Sequence, residues 1–314
     1  MAQITYREAL NQALREELDR DERVFIMGKE VGYFGGAFKV TEGLLAIYGE
    51  KRVRDTPNSD LTIVGAGIGA AMGGLKPIVE LTTIDSDLLA MDQIVNAAAK
   101  IHYVSGGKAN VPLVIRAPQS QSLEAYFLHA PGLRVFVPAM PADAKGLLKT
   151  AIRLADPVIF FEHESLYGVK GEVSDDPDFA IPMGKAKVVR EGKDVTIVAY
   201  SKSVYDAVSA AEMLAHSAID AEVIDLRTLN PLDMTTVVES VKKTGRAIVA
   251  YQGWRTGGAG AEIAAQIHEA AFDSLDAPVA RVASLDTPMP YGQHREIMAL
   301  PSVAAIVKVA QRLI

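Results

Sequence analysis

No cysteine occurs among the 314 residues, which excludes disulfides, thiolate metal sites and a cysteine nucleophile. Basic excess is missing too: 32 Lys and Arg stand against 39 Asp and Glu, for a net charge of −7. The basic residues form no cluster beyond scattered pairs, so nothing marks a nucleic-acid footprint. No apolar run approaches membrane-spanning length, and residues 1–25 are charged where a signal peptide would carry an apolar core. With no Arg- and Ser-rich presequence either, the expectation is a soluble, cytoplasmic protein with neither a membrane nor a nucleic-acid partner. Common catalytic signatures are absent as well: no P-loop, no His-Glu-x-x-His and no Ser-His-Asp order. The six histidines, at 102, 129, 163, 216, 268 and 294, are too scattered for a metal cluster. No internal repeat or low-complexity segment occurs.

What is present is apolar surface in quantity, with 49% hydrophobic residues against 23% charged. A chain of this length exceeds the usual span of one core, which predicts two domains. Short apolar runs at 23–27, 76–81, 112–116, 134–138 and 157–162 read as buried strands. Helical segments at 6–19, 64–73, 88–104 and 142–154 separate them, the last behind Pro141 at its start. That alternation predicts an α/β fold with parallel strands covered on both faces. Residues 167–192 lose the helical period, carry Gly168, Gly171, Asp175, Asp176, Pro177 and Pro182, and read as a linker with a short hairpin. A second α/β unit follows, with strands expected at 194–200, 221–225, 247–251 and 279–282. Its helices are expected at 204–215, 233–244, 259–272 and 303–313.

Several segments carry more than fold information. In residues 90–107, Asp92, Gln93, Asn96 and Lys100 recur at helical spacing beside Met91, Ile94, Val95 and Ala97 to Ala99, and two glycines end the run. Polar groups on so apolar a helix point to packing against other chains. Asp55-Thr-Pro-Asn-Ser-Asp60 precedes a small-residue helix in which Gly65, Gly67 and Gly69 fall at every second position. The spacing is not Gly-x-Gly-x-x-Gly, so close helix packing explains it better than nucleotide binding. Glu80, Thr82, Thr83, Asp85, Ser86 and Asp87 follow a strand, at the carboxyl end where ligands gather in open α/β sheets. His129 reads as a helix-terminal residue. Asp225-Leu-Arg227 stands at a strand end, where an Asp–Arg pair can fix a loop.

Taken together, and nearly end to end, these segments resemble the β subunit of thiamine-diphosphate-dependent 2-oxo acid dehydrogenases, the decarboxylating E1 component of the pyruvate and branched-chain complexes. The resemblance implies a two-domain transketolase-like chain: a pyrimidine-binding domain over 1–184, linker included, and a transketolase C-terminal domain over 185–314. It implies an α2β2 assembly with an E1 α subunit, self-association through the β subunit, and delivery of the acyl group to a lipoyl acyltransferase core. The small-residue helix would lie at the subunit interface. Thiamine diphosphate and magnesium would be shared, because the Gly-Asp-Gly diphosphate motif belongs to the α subunit and is missing here. Asp60 takes the place of the glutamate that hydrogen-bonds the aminopyrimidine ring and thereby favours loss of the thiazolium proton. Ser-Leu-Glu-Ala-Tyr and Arg-Thr-Gly-Gly lean towards the branched-chain type.

The same resemblance exposes four departures in one pocket. Asp60 is one methylene shorter than glutamate, and as a helix-start aspartate it could serve as a cap instead. Thr83 and Ser86 stand near where the family has aromatics, one of which stacks on the pyrimidine. Lys29 replaces a carboxylate after the first strand, either as a solvated lysine or as a reversed pocket charge. Between Pro118 and Gln119 about ten residues are missing, on the scale of a functional Ω-loop, including a histidine that faces the substrate. Asp156 is the remaining oxygen ligand where the family helps bind a structural potassium ion. Three readings follow: an E1 β subunit with Asp60 as its activating acid, a scaffold whose thiamine site has been lost or repurposed, and an enzyme using Lys29 as an amine nucleophile if burial lowers its pKa.

Overall fold

The computed structural model describes residues 2–85 and 88–314, and its chain separates into two compact units, Met1–Met183 and Gly184–Ile314. The first unit is built on strands β2 (Val24–Gly28), β3 (Val53–Asp55), β4 (Lys76–Glu80), β5 (Val114–Gln119), β6 (Arg134–Phe136) and β7 (Val158–His163). These run parallel in the order β6-β7-β5-β4-β2-β3. β4, β5 and β7 are buried almost throughout, as the continuous apolar runs require of strands covered on both faces. Strand β1 (Ala2–Thr5) pairs antiparallel with β8 (Lys170–Val173) in a separate two-stranded ribbon. The hairpin expected within 167–192 is therefore not formed. Its first half pairs with the N-terminal strand and its second half, β9 (Lys187–Arg190), enters the other unit's sheet.

Helix α1 (Tyr6–Arg20) starts on a capping box, with Thr5 Oγ1 accepting from the Glu8 N–H and Glu8 accepting from the Thr5 N–H. It lies against α6 (Pro141–Arg153), where Pro141 holds the first turn. Glu16 bonds Lys145 at 2.7 Å and Lys149 at 2.5 Å, and Arg153 bonds Glu17 at 2.6 Å. The two buried lysines also donate to the carbonyls of Ser174 and Pro177, which fastens the chain after β8. Shorter helices are α2 (Leu44–Tyr48), α4 (Ala99–Val104) and α5 (Glu124–Leu128). The helix expected over 88–104 is broken up: a 3-10 turn at Leu88–Ala90, a π-helix at Asp92–Ala98, then α4. Its polar residues form an exposed ladder, Lys100 to Asn96 at 2.7 Å and Asn96 to Asp92 at 2.9 Å.

The second unit orders its sheet β14-β13-β10-β11-β9, from β10 (Val195–Ala199), β11 (Ala221–Asp225), β13 (Ala247–Trp254), β14 (Ala280–Ser284) and the antiparallel β9. A short strand, β12 (Thr228–Asn230), follows β11. The helices are α7 (Ser203–Ala215), α8 (Met234–Thr244), α9 (Ala259–Ala271), α10 (Gln293–Ala299) and α11 (Val303–Leu313). Asp233 caps α8 and Ser302 caps α11 through their side chains. After β11, Asp225 accepts from the Arg227 backbone N–H at 3.0 Å while Arg227 sits at φ 61°, so this pair shapes the turn.

Candidate active site

Because the first sheet is parallel, the carboxyl ends of all its strands share one edge, and three of the expected site residues sit there. Lys29 follows β2, Thr83 follows β4, and Asp60 lies five residues beyond the end of β3. β2 runs between β4 and β3, so the Lys29 segment leaves the sheet between the other two. Ser86 lies outside the described residues. Asp60 occupies the first turn of α3 (Asp60–Met72), which begins a full turn earlier than the periodicity indicates. Ser59, not Asp60, holds the N-cap position, and its hydroxyl meets Thr62 instead of the helix backbone. The capping role for Asp60 is thus corrected: its carboxylate is half-buried, at the positive end of a helix, with no hydrogen-bond partner among the described residues. Lys29, like Asp60, is half-buried, short of the full burial that the amine-nucleophile reading calls for.

Asp156 lies elsewhere. It precedes β7, at the opposite edge, and its carboxylate binds Arg134 at 2.7 and 2.8 Å. Both bonds fall on Oδ2, and among the described residues no group of three acids or histidines could hold a metal. His129 takes the C-cap of α5, as its pattern indicates.

Under the carboxyl edge lies a charged cluster that reasoning from sequence missed. Arg116, fully buried on β5, grips Glu162 of β7 through Nε and Nη2, both at 2.7 Å, and Glu80 of β4 through Nη1. Tyr167 adds a hydrogen bond to Glu162 at 2.7 Å. Burial raises the Glu80 carboxyl against the pull of Arg116, and burial with the Glu162 charge drives the Tyr167 hydroxyl far up. The signal was available, since Arg116 and Glu162 each stand as the one Asp, Glu, Lys or Arg of a largely apolar strand, and Glu80 ends a third.

Above the cluster the segment after β2 folds over the edge. Asp55 accepts from the N–H groups of Gly32 and Tyr33 at 2.6 and 3.2 Å, and Thr41 donates to the Val31 carbonyl at 2.7 Å. Gly36, at φ 77°, lies against the Glu80 carboxylate where a Cβ would collide with it. The shortened connection after β5 is equally well tied. Asp85 accepts from Ser120 N–H at 2.9 Å, Ser120 Oγ at 2.7 Å and Gln121 N–H at 3.3 Å, and Gln119 bonds the buried Glu124 at 2.7 Å. Where the resemblance places a substrate-facing loop, the chain makes a closed turn.

Helix α3 presents a second feature. Gly67 faces inward, where an added Cβ would lie 2.9 Å from Val79 and 3.2 Å from Leu113, whereas Gly69 has open space around it. Leu61, Ala66, Gly69 and Met72 leave an exposed face without charge.

The description "Transketolase, pyrimidine binding domain" matches residues 2–170, and "Transketolase, C-terminal domain" matches 184–306. A pyruvate dehydrogenase E1 component subunit beta-1 of Arabidopsis thaliana is 47% identical over 99% of this chain and 89% of its own length. Its counterpart from Rickettsia bellii is 48% identical over 99% of this chain and 98% of that one. The chain belongs to the E1 β-subunit family of 2-oxo acid dehydrogenases. The Rhizobium meliloti E1 β subunit agrees, at 48% identity over 98% of this chain and 69% of its own. Among solved structures, a split gene transketolase described as an inactive beta4 tetramer superposes with a TM-score of 0.81, at 25% identity over 99% of this chain and 98% of that one. The two matched domains and this structure give the E1 β-type chain a two-domain transketolase-like fold. The relatives are pyruvate dehydrogenase subunits, against the branched-chain lean of the short motifs.

Against that family the site divides. The carboxylate of Asp60 stands at the carboxyl edge, with no partner among the described residues. The turn at 119–124 is closed by hydrogen bonds to Asp85 and Glu124.

Proposed function

We propose that this chain is the β subunit of an E1 component that works as an α2β2 assembly with an E1 α subunit, with thiamine diphosphate and magnesium shared between them. The match to pyruvate dehydrogenase E1 β subunits over nearly the whole chain carries this reading and makes pyruvate the first 2-oxo acid to test. When bound, thiamine diphosphate supplies the electron sink for decarboxylation, and a lipoyl acyltransferase core would take up the acyl group. Asp60 is the group we assign to the pyrimidine nitrogen, and Lys29 and Thr83 line the same edge. A carboxylate one methylene short makes the catalyst slow, since ångström-scale misplacement costs about a hundredfold. Cytoplasmic residence belongs to the same reading.

One observation favours a second reading, a scaffold without thiamine chemistry: the turn at 119–124 is closed by hydrogen bonds from four donors. That a β4 tetramer of this fold is described as inactive fits the same reading. Calorimetric titration of thiamine diphosphate with magnesium, into the chain alone and into its mixture with an E1 α subunit, separates the two. Binding in the mixture only, with pyruvate decarboxylation that Asp60→Ala abolishes, is expected. Absence of binding in both samples, with a stable homo-oligomer, would establish the scaffold.

A further inference from the structure

Gln119 ends β5, Glu124 opens α5, and both side chains are only 1% exposed. The Gln119 amide donates to Glu124 Oε1 at 2.7 Å, while its own Oε1 is buried and accepts nothing among the described residues. A buried acceptor left without a donor carries its full desolvation cost. An ionised Glu124 cannot relieve it, because a carboxylate only accepts. A protonated carboxyl can: an acid and a primary amide side by side satisfy each other in a ring, N–H to the acid carbonyl and O–H to the amide carbonyl.

We propose that Glu124 is held as a neutral carboxylic acid in a reciprocal pair with the Gln119 amide, and that loss of its proton loosens the turn 119–124 at the carboxyl edge. Burial favours the neutral form and raises the acid to about 7; the hydrogen bonds from the Gln119 amide and from the Glu124 N–H oppose it, and the Asp85 charge adds a smaller rise. Asp85 comes from the segment after β4 and holds the outside of the same turn through Ser120 and Gln121. From β7, His163 is the register partner of Gln119, and its Nδ1 accepts from Ser165. Tyr126 and His129 are the other titratable groups of α5 and its end. The turn is thus clamped by a fixed carboxylate outside and by a proton-dependent pair inside. Opening linked to the release of one proton grows about tenfold per pH unit between the free and the buried pKa of the group, then levels off.

The test needs only this chain. The carboxyl carbon of Glu124 is followed by NMR in 13C-glutamate-labelled protein, assigned by its loss in Glu124→Gln. Amide exchange at Ser120 and Gln121 is measured from about pH 5 to about pH 8. The expected result is a midpoint near 7, with protection factors falling about tenfold per unit up to that midpoint and flat beyond it. Glu124→Gln, whose amide N–H can reach the Gln119 oxygen, keeps the turn protected at every pH. A midpoint in the ordinary carboxylate range overturns the proposal. So does protection in the wild type that ignores pH, or the same loss of protection in Glu124→Gln.

Discussion

At the scale of single residues, buried charge dominates this molecule, and its cost can be read out by substitution. Removing the guanidinium in Arg116→Met leaves Glu80 and Glu162 buried together without a cation, which costs about 3–5 kcal/mol. Urea unfolding of the first unit should show that loss. Most of it should return when both glutamates are changed to glutamine in the same chain, because charge and not volume is at fault. Glu124 gives a pH signature of opposite sign to the usual carboxylate. Its folded pKa, about 7, lies above the unfolded value of 4.5, so its contribution is complete below 4.5 and is lost as pH rises towards 7. The size is about 3 kcal/mol at 1.36 kcal/mol per unit. Thermal melts should therefore find wild type losing several degrees relative to Glu124→Gln between acid and neutral pH. Of these residues, Glu80 was visible in the sequence as part of a ligand-gathering edge, but its bond to Arg116 was not. Pairings across strands depend on sheet order, which no local pattern encodes.

Elements were more legible than residues, and their failures share a cause. Long strands and helices with a clear apolar period form near the expected positions, such as β4, β11, α1 and α11. Strands β1 and β3 and the short helix α2 were missed, since three to five residues show no period. The helix over 88–104 was expected unbroken, because a π-turn keeps the same composition as an α-turn. Helix α3 shows how a small-residue run hides two functions. Gly67→Ala pushes a Cβ to 2.9 Å from Val79 and overpacks the sheet, at about 1–3 kcal/mol. Gly69→Ala meets nothing within 4 Å and should gain about 1 kcal/mol of helix propensity in the isolated chain. If the exposed face of α3 receives another subunit, that alanine also weakens association. Melting temperature and sedimentation of the same two variants therefore report separately on core and interface.

For the molecule as a whole, the family was legible from end to end while the condition of its site was not, because substitutions show which groups are absent but not how the gap closes. The closed turn shows that the missing loop has been replaced by a bonded structure, with Asp85 and Glu124 as its anchors. Under the proposed function, two departures from the family would compete to limit an assembled enzyme: the short acid at 60 and the turn at 119–124. Asp60→Glu distinguishes them within the α2β2 complex. Lengthening the acid by one methylene restores the reach to the pyrimidine, and up to about a hundredfold in kcat should return if reach is limiting. If the turn is limiting, thiamine diphosphate binds more tightly in Asp60→Glu while kcat stays low, since nothing in the pocket has gained a group that faces the substrate. The split between binding and turnover thus assigns the limit on turnover to one end of the cofactor or the other.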